Sequence, residues 1–492
     1  MQIKIDELMR TSGVQFGTSG VRGLVVDMTD QVCWLYVTAF LQYLKKDNII
    51  KSGNIVGIAG DLRYSSEKIM GVVATAISDF GLVPENFGNI PSPAIALYGL
   101  YKKMPTMMVT GSHIPDDRNG IKFNTPKGEI LKTDELAIRE QYVVIPEGKF
   151  SEDGELIQTY VLPQVSLDAN QHYMSRFLNF FAENCLEGKH IGVYEHSSVS
   201  RDHLKTILQQ LGATVTSLGR SDKFISVDTE AIRPEDVVLA KQWAKQHEFD
   251  CIVSTDGDGD RPLLSDEHGN WLRGDVIGIL CAHYLKADVV VTPVSSNTAV
   301  EKCALFEQVI RTKIGSPYVI AAMDQIEHSL SVVGYEANGG FLQANTLEKN
   351  GKRLSSLPTR DAIIVLITVM ILAQEKQLTI AELVKTLPQR FTYSDKLKNF
   401  PTALSQQRLA EMTSGDQIEY FQTIKAQFSF AGEPISIDAT DGVRIGFNND
   451  DIIHLRPSGN APELRCYTES STEQRSINLN MSCLNTLAQW NS

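Results

Sequence analysis

The chain has 492 residues, 42% of them hydrophobic and 21% charged, with a formal net charge of −13 at pH 7. That length exceeds what one hydrophobic core serves and predicts about three or four domains. The acidic balance excludes a nucleic-acid or anionic-membrane surface, because neither polyanion releases counterions to an acidic partner, although a local arginine cluster can still hold a small anion.

In chain order, "MQIKIDELMR" has no apolar segment, so no secretory signal is expected. "FGTSGVRG", Phe16 to Gly23, gathers three glycines, two hydroxyls and Arg22. It reads as an anion-binding loop or a β-turn, and it has neither the G-K-[ST] ending of a P-loop nor a G-x-G-x-x-G pattern. "NIVGIAG" predicts a strand and "SSEKIMGVVATAISDFG" a helix. "MPTMMV" predicts another strand, which Gly111 and Pro115 end, leaving Ser112 and His113 on a turn in "TGSHIPDDRNGIKFN". Strands "HIGVYEH" and "FDCIVST" and helices "SRDHLKTILQQLG" and "PEDVVLAKQWAKQ" continue the alternation. Strand–helix alternation means α/β layers with a mixed or parallel sheet.

"DGDGDRP", Asp256 to Pro262, is the strongest local signal. Asp256, Asp258 and Asp260 alternate with glycines that let the backbone curl, so the three carboxylates converge and call for a divalent cation such as Mg²⁺ or Ca²⁺. A calcium EF-hand loop is the sharpest rival, but Arg261 stands where that loop needs glycine, Pro262 follows, and the flank is a strand. A solvated acidic turn is the other alternative.

Beyond "ADVVVTPV" and "NTAVEKCALF", the loops "TKIGSPYV" and "GYEANGGF" follow; Glu336 and Asn338 in the latter suit sugar hydroxyls or a plain solvated loop. "DAIIVLITVMILA", Asp361 to Ala373, is too short to span a bilayer and predicts a buried helix. After Phe391 short strands, among them "ISIDATDGVRIGF" and "DIIHLRPS", precede one C-terminal helix, a smaller α+β domain. In "RPSGNAPELRCYTE", Arg456, Ser458, Asn460 and Arg465 offer guanidinium, hydroxyl and amide donors for a phosphate, though a turn with surface arginines has the same composition. Seven cysteines without a C-x-x-C pair fit reduced thiols used as small apolar residues in a cytoplasmic protein.

The set "FGTSGVRG", "TGSHIPDDRNGIKF", "DGDGDRP", "GYEANGGF" and "RPSGNAPELR" resembles the α-D-phosphohexomutase superfamily, in its phosphomannomutase/phosphoglucomutase branch, motif by motif and in order from residue 16 to 469. The resemblance implies three similar mixed-sheet α/β domains and a smaller C-terminal α+β domain around a central cleft, here 1–160, 161–265, 266–388 and 389–492. It implies that Ser112 carries a phosphoryl group and that one Mg²⁺ per chain is held by Asp256, Asp258, Asp260 and the phosphoserine. Arg22, His113, Lys122 and Arg261 resemble the residues around the transferring group, Lys122 being the favoured general acid/base. Glu336, with Asn338 beside it, resembles the grip on the sugar's 3- and 4-hydroxyls, and Arg456, Ser458, Asn460 and Arg465 the clamp on the other phosphate.

Four departures from the family pattern stand out. Gly111 and Ile114 replace Ala and Asn of T-A-S-H-N-P; Asn460 replaces Thr; Ser316 stands where some of these mutases have histidine; and "YEANGG" is not the "GEMSGH" or "GEQSGH" form associated with glucosamine or N-acetylglucosamine phosphate. The expected activity is interconversion of hexose 6-phosphate and hexose 1-phosphate, with mannose and also glucose as the hexose, through a hexose 1,6-bisphosphate that also serves as activator. The alternatives are a phosphoglucosamine mutase, a metal phosphatase using Ser112, and a non-catalytic sugar-phosphate-binding protein of the same fold. Neither nucleic acid nor membrane is expected as a partner, and the sequence leaves the oligomeric state open.

Overall fold

A computed structural model describes residues 2–158, 161–327, 329–458 and 462–491. Residues 1–288 with 315–383 pack as one compact unit, and 289–314 with 384–492 as a second.

In the first unit, the N-terminal sheet runs in the spatial order Gln15–Phe16, Gly20–Leu24, Arg118–Thr125, Thr106–Val109, Ile55–Gly60, Val83–Asn89. Ile55–Gly60 pairs in parallel with both of its neighbours, and the chain between these strands forms the helices Ser66–Asp79 and Ser92–Lys102. A strand covered on both faces reads as an unbroken apolar run, and all of "IVGIAG" except its first residue is buried. The helix Asp30–Lys46 starts where the Thr29 hydroxyl accepts from the Val32 N–H, with Asp30 in its first turn and Lys45 and Lys46 in its last, so both ends suit the helix dipole. Its Phe40 stacks on Phe123 of the sheet with ring centroids 4.8 Å apart. The pairing turns antiparallel at Arg118–Thr125, and that register sets Lys122 opposite Met108 on one side and Gly20 on the other.

A second sheet aligns Thr214–Leu218, His190–Tyr194 and Cys251–Thr255 in parallel, and Pro262–Leu264 returns antiparallel. The aspartate loop is the turn that makes this return. Val332–Tyr335, Phe341–Gln343 and Leu357–Asp361 are antiparallel neighbours, with "EANGG" as the first connection. Asp361 then caps the helix Ala362–Lys376 by accepting from Ile363 N–H, and every residue from Ala362 to Ala373 is buried, as the apolar run predicts. Each buried Ile, Leu or Val there contributes roughly 1.5–3 kcal/mol relative to exposure. Among the described residues, no helix is long and apolar enough to cross a membrane.

In the second unit, Val289–Pro293 pairs in parallel with Gln308–Thr312. A five-stranded antiparallel sheet follows, in the order Phe391–Lys398, Glu463–Ser470, Ile452–Pro457, Val443–Phe447, Pro434–Asp438, and the helix Glu473–Ala488 packs Leu479, Cys483 and Leu487 into its core beside Leu455 and Cys466. The single C-terminal helix read from the sequence is joined by two more, Thr402–Met412 and Gln417–Gln427. Both bury few residues, Ser405, Leu409 and Met412 in the first and Ile424 in the second, so the apolar stripe that marks a helix in sequence is short in each. All seven cysteines are free thiols, five of them buried.

One buried group of this unit makes its stability acid-sensitive. His454 has Nε2 2.6 Å from the Asp441 carbonyl oxygen and Nδ1 without a hydrogen-bond partner. Burial holds its pKa down to about 4 from 6.5, against the opposing pull of the Asp441 carbonyl. The folded chain therefore keeps a neutral ring where the unfolded chain takes up a proton. Stability is full above about pH 6.5 and falls as pH drops toward 4, by about 3 kcal/mol at most. His454→Gln, which keeps a donor for the carbonyl, is expected to flatten the fall in urea midpoint between pH 7 and pH 4.5; an equally steep fall would assign the acid sensitivity elsewhere.

Candidate active site

Ser112 sits just past the strand Thr106–Val109 with φ of +55°, a left-handed conformation that costs a non-glycine residue about 1 kcal/mol. The surroundings fix it there. Its N–H donates to Thr110 Oγ1 at 2.8 Å, and its carbonyl accepts from Arg63 Nη2 at 2.9 Å. Arg63 also donates to the carbonyls of Ile114, Pro115 and Arg118 at 2.6, 2.8 and 3.1 Å, so one buried guanidinium holds the whole loop. Asp61 accepts from Arg63 Nε at 3.2 Å, and Phe224 covers the guanidinium with its ring centroid 3.9 Å away. The close approach of Arg63 also accounts for Gly111, since a Cβ there would stand 2.6 Å from Arg63 Cζ.

From this position Ser112 Oγ donates to Asp256 Oδ2 at 2.6 Å and lies 3.2 Å from His113 Nδ1. Asp256, Asp258 and Asp260 are buried together, each offering an oxygen within 4.8 Å of the others, as the sequence spacing predicts. Their charge is met by cations. Lys122 Nζ lies 2.5 Å from Asp258 Oδ2 and 2.6 Å from Asp260 Oδ2, Arg360 Nη2 lies 3.0 Å from Asp260 Oδ2, and Arg261 Nε lies 3.8 Å from Asp260 Oδ1. Ser92, at the start of its helix, donates through Oγ to Asp258 Oδ2 at 2.5 Å and through its N–H to the Asp258 carbonyl at 2.9 Å. Arg22, His113, Lys122, Arg261 and Arg360 line one cleft with Ser112 and the 17–21 loop.

The donor set fits a divalent cation. Asp258 Oδ1 and Asp260 Oδ1 are buried without a hydrogen-bond partner, a costly state for carboxylate oxygens, and the Lys122 ammonium already sits among these carboxylates as a cation would. The three carboxylates differ in how their charge is met. Burial pushes the Asp256 carboxyl well above its ordinary value, and Asp258 and Asp260 push it further. Burial acts in the same sense on Asp258, but Lys122 outweighs it and holds that carboxyl below the usual range. For Lys122, the lowering effect of burial is overcome by Asp258 and Asp260, which raise it above the ordinary lysine value. His113 is held down to about 3 by burial first and by Arg261 next, so its ring is neutral.

The loop 336–340 brings Glu336 in, buried, with Oε2 3.3 Å from Arg360 Nη1. Asn338 Oδ1 accepts from Gly340 N–H at 2.9 Å, and its carbonyl accepts from Thr229 Oγ1 at 2.7 Å, so this side chain shapes the turn. Ser316 is fully buried and donates to Glu129 Oε2 at 3.0 Å.

The second unit holds the remaining motif. Arg456 and Arg465 face each other across two strands, and Lys396 faces Arg465 from the next strand. Arg456 Nε is paired with Asp441 Oδ2 at 2.8 Å, and Ser458 is buried with its N–H donating to the Glu463 carbonyl at 2.9 Å. Within this row of cations Lys396 Nζ is paired with Glu463 Oε1 at 2.8 Å, as Arg456 is with Asp441. Asn460 lies outside the described residues.

Arg63, Ser92 and Arg360 were not singled out by sequence. The signals are slight: "GDLR" at a strand exit, "PSP" at a helix start, and "TRD" before the buried helix.

Comparison with known proteins gives the family. The chain matches three family descriptions: phosphoglucomutase/phosphomannomutase alpha/beta/alpha domain I over residues 13–147, domain II over 171–269, and domain III over 273–391. It is 43% identical to a phosphomannomutase of Salmonella muenchen over 96% of this chain and 95% of that one. A phosphoglucosamine mutase of Bacillus velezensis is 27% identical over 94% and 95% of the two chains. The crystal structure of a phosphoglucomutase/phosphomannomutase family protein from Burkholderia thailandensis has the same fold, with a TM-score of 0.72 at 15% identity, covering 99% of this chain and 98% of that one. The chain belongs to the α-D-phosphohexomutase superfamily, in its phosphoglucomutase/phosphomannomutase branch.

Proposed function

We propose that this hexose phosphate mutase interconverts mannose 6-phosphate and mannose 1-phosphate, with glucose phosphates as a second substrate pair. The observation that carries the reading is Ser112 Oγ, a hydroxyl 2.6 Å from one of three converging buried carboxylates and in a cleft with Lys122. A protein that only bound sugar phosphates would have no need of a nucleophile there. The 43% identity to a phosphomannomutase, against 27% to a phosphoglucosamine mutase, favours mannose.

In this mechanism, phosphorylated Ser112 gives its phosphoryl group to the free hydroxyl of a hexose monophosphate. The P–O bond to Ser112 breaks as the bond to the sugar oxygen forms, giving the 1,6-bisphosphate. After the sugar turns end for end, Ser112 Oγ takes back the other phosphoryl group. The proton lost by the sugar hydroxyl ends on the Ser112 Oγ that the phosphoryl group leaves; Lys122, which lines the same cleft, is the general acid/base that relays it, and His113 orients Ser112 Oγ. One Mg²⁺, for which Asp256, Asp258, Asp260 and the phosphoserine would be the ligands, supplies charge stabilisation to the transferring group. Arg22 and Arg261 neutralise that group as well, and Glu336 grips the 3- and 4-hydroxyls, with Asn338 fixing its loop. Arg456, Ser458, Asn460 and Arg465 hold the phosphate that is not in transit, and added hexose 1,6-bisphosphate activates by loading Ser112. The four segments 1–160, 161–265, 266–388 and 389–492 are the corresponding domains. Buried free thiols support a cytoplasmic location.

A coupled assay comparing mannose, glucose and glucosamine 1-phosphates tests the reading: mannose is expected to give the highest kcat/KM. Preference for glucosamine 1-phosphate, or release of inorganic phosphate in place of isomerisation, would overturn it. Arg465→Ala is expected to raise KM by roughly 10- to 100-fold, the worth of one charge-assisted phosphate contact, and to let free bisphosphate escape, so that turnover comes to depend on added bisphosphate. Unchanged KM without escape would remove these strands from phosphate binding.

A further inference from the structure

The loop "YEANGG" ends in Gly340 where the related "GEMSGH" form ends in histidine. The structure shows what has taken that space. A Cβ on Gly340 would lie 2.5 Å from Cδ and 2.6 Å from Cγ of Arg360, so the arginine stem fills the room that a side chain at 340 would need. Arg360 stands near the end of the strand Leu357–Asp361, buried, and lines the same cleft as Ser112. Its Nε and Nη2 lie 3.1 and 3.0 Å from Asp260 Oδ2, and its Nη1 lies 3.3 Å from Glu336 Oε2. One planar fork thus fixes Glu336 against the aspartate loop, a geometry that a flexible ammonium does not reproduce.

We propose that Arg360 determines sugar specificity: it positions Glu336 for a neutral hexose and rejects hexose phosphates that carry an ammonium at C2. The proposal rests on the assignment of Glu336 to the 3- and 4-hydroxyls. C2 adjoins C3, so an ammonium there meets the guanidinium that already neutralises Glu336, and two cations in a buried cleft repel where a hydroxyl does not. Specificity is then set by a repulsive element as well as by the hydroxyl contacts.

The test uses Arg360→Met, which keeps volume and removes charge, and Arg360→Lys, which keeps charge and removes the fork. Each is assayed with mannose 1-phosphate and glucosamine 1-phosphate, and binding of the two 6-phosphates is followed by thermal shift. Arg360→Met is expected to raise the glucosamine-to-mannose ratio of kcat/KM at least roughly tenfold and to gain a thermal shift with glucosamine 6-phosphate. Arg360→Lys should keep the ratio within about threefold of wild type while KM for mannose 1-phosphate rises by a larger factor than kcat falls. An unchanged ratio in Arg360→Met overturns the proposal. If that variant does not fold, Arg360→Lys decides, because an unchanged KM, or a ratio moved toward glucosamine with charge retained, refutes it. Wild-type turnover of mannose 1-phosphate is read separately: its absence defeats the mannose assignment and leaves the binding shifts to judge Arg360.

Discussion

Ser112→Ala is expected to lose at least about 1,000-fold in kcat, the scale on which removal of a covalent nucleophile acts, while hexose phosphate still binds. Ser112→Gly separates chemistry from backbone. The residue sits at φ +55°, where glycine is unstrained, so the glycine variant is expected to be as inactive as the alanine variant but more stable than it by about 1 kcal/mol. A fraction of the purified wild-type protein should carry one phosphoryl group, mapped to the peptide containing "TGSHIPDDR". Incubation with mannose 1,6-bisphosphate should raise occupancy and rate together. A rate independent of Ser112 occupancy, or an alanine variant with near-normal kcat, would return this loop to a structural turn.

What was legible in sequence is what chemistry had written into a few adjacent residues. Asp256, Asp258 and Asp260 point to convergence because three carboxylates alternate with glycines inside five residues, and the structure buries all three together. The helix Ala362–Lys376 was legible because nothing but burial accounts for an unbroken apolar run of that length. Arg63 and Arg360 were not legible, because their meaning lies in partners distant along the chain: Arg63 meets the Ser112 carbonyl 49 residues on, and Arg360 meets Asp260 across 100. An arginine at a strand exit looks alike in sequence whether it faces solvent or organises a loop. Gly340 illustrates the same limit from the other side, since its lack of a side chain becomes informative only when the stem of Arg360 is seen in the vacated space.

Asp258→Asn, nearly isosteric, should cost far more activity than its size implies. Asp258 Oδ2 is held by Lys122 at 2.5 Å and Ser92 at 2.5 Å, while Oδ1 is buried and unpartnered, the oxygen left free for a cation. The amide removes one of three charges that would hold Mg²⁺, and kcat is expected to fall at least about 100-fold at millimolar Mg²⁺, in line with losing one electrostatic stabiliser of the transition state. Without metal, stability should fall modestly as well, because Lys122 and Ser92 hold Asp258 Oδ2 and Lys122 keeps its carboxyl below the ordinary range, so the amide loses an ion pair that the folded chain makes. The two effects are separated by thermal unfolding with and without Mg²⁺. The wild-type protein should gain stability with Mg²⁺ as any protein does with a ligand bound only when folded, and the variant should gain markedly less. Equal Mg²⁺-dependent gains in both proteins, or near-normal turnover in the variant, would mean that the three aspartates serve Lys122 and Arg360 as an internal ion-pair network and that the cation of the reaction binds elsewhere.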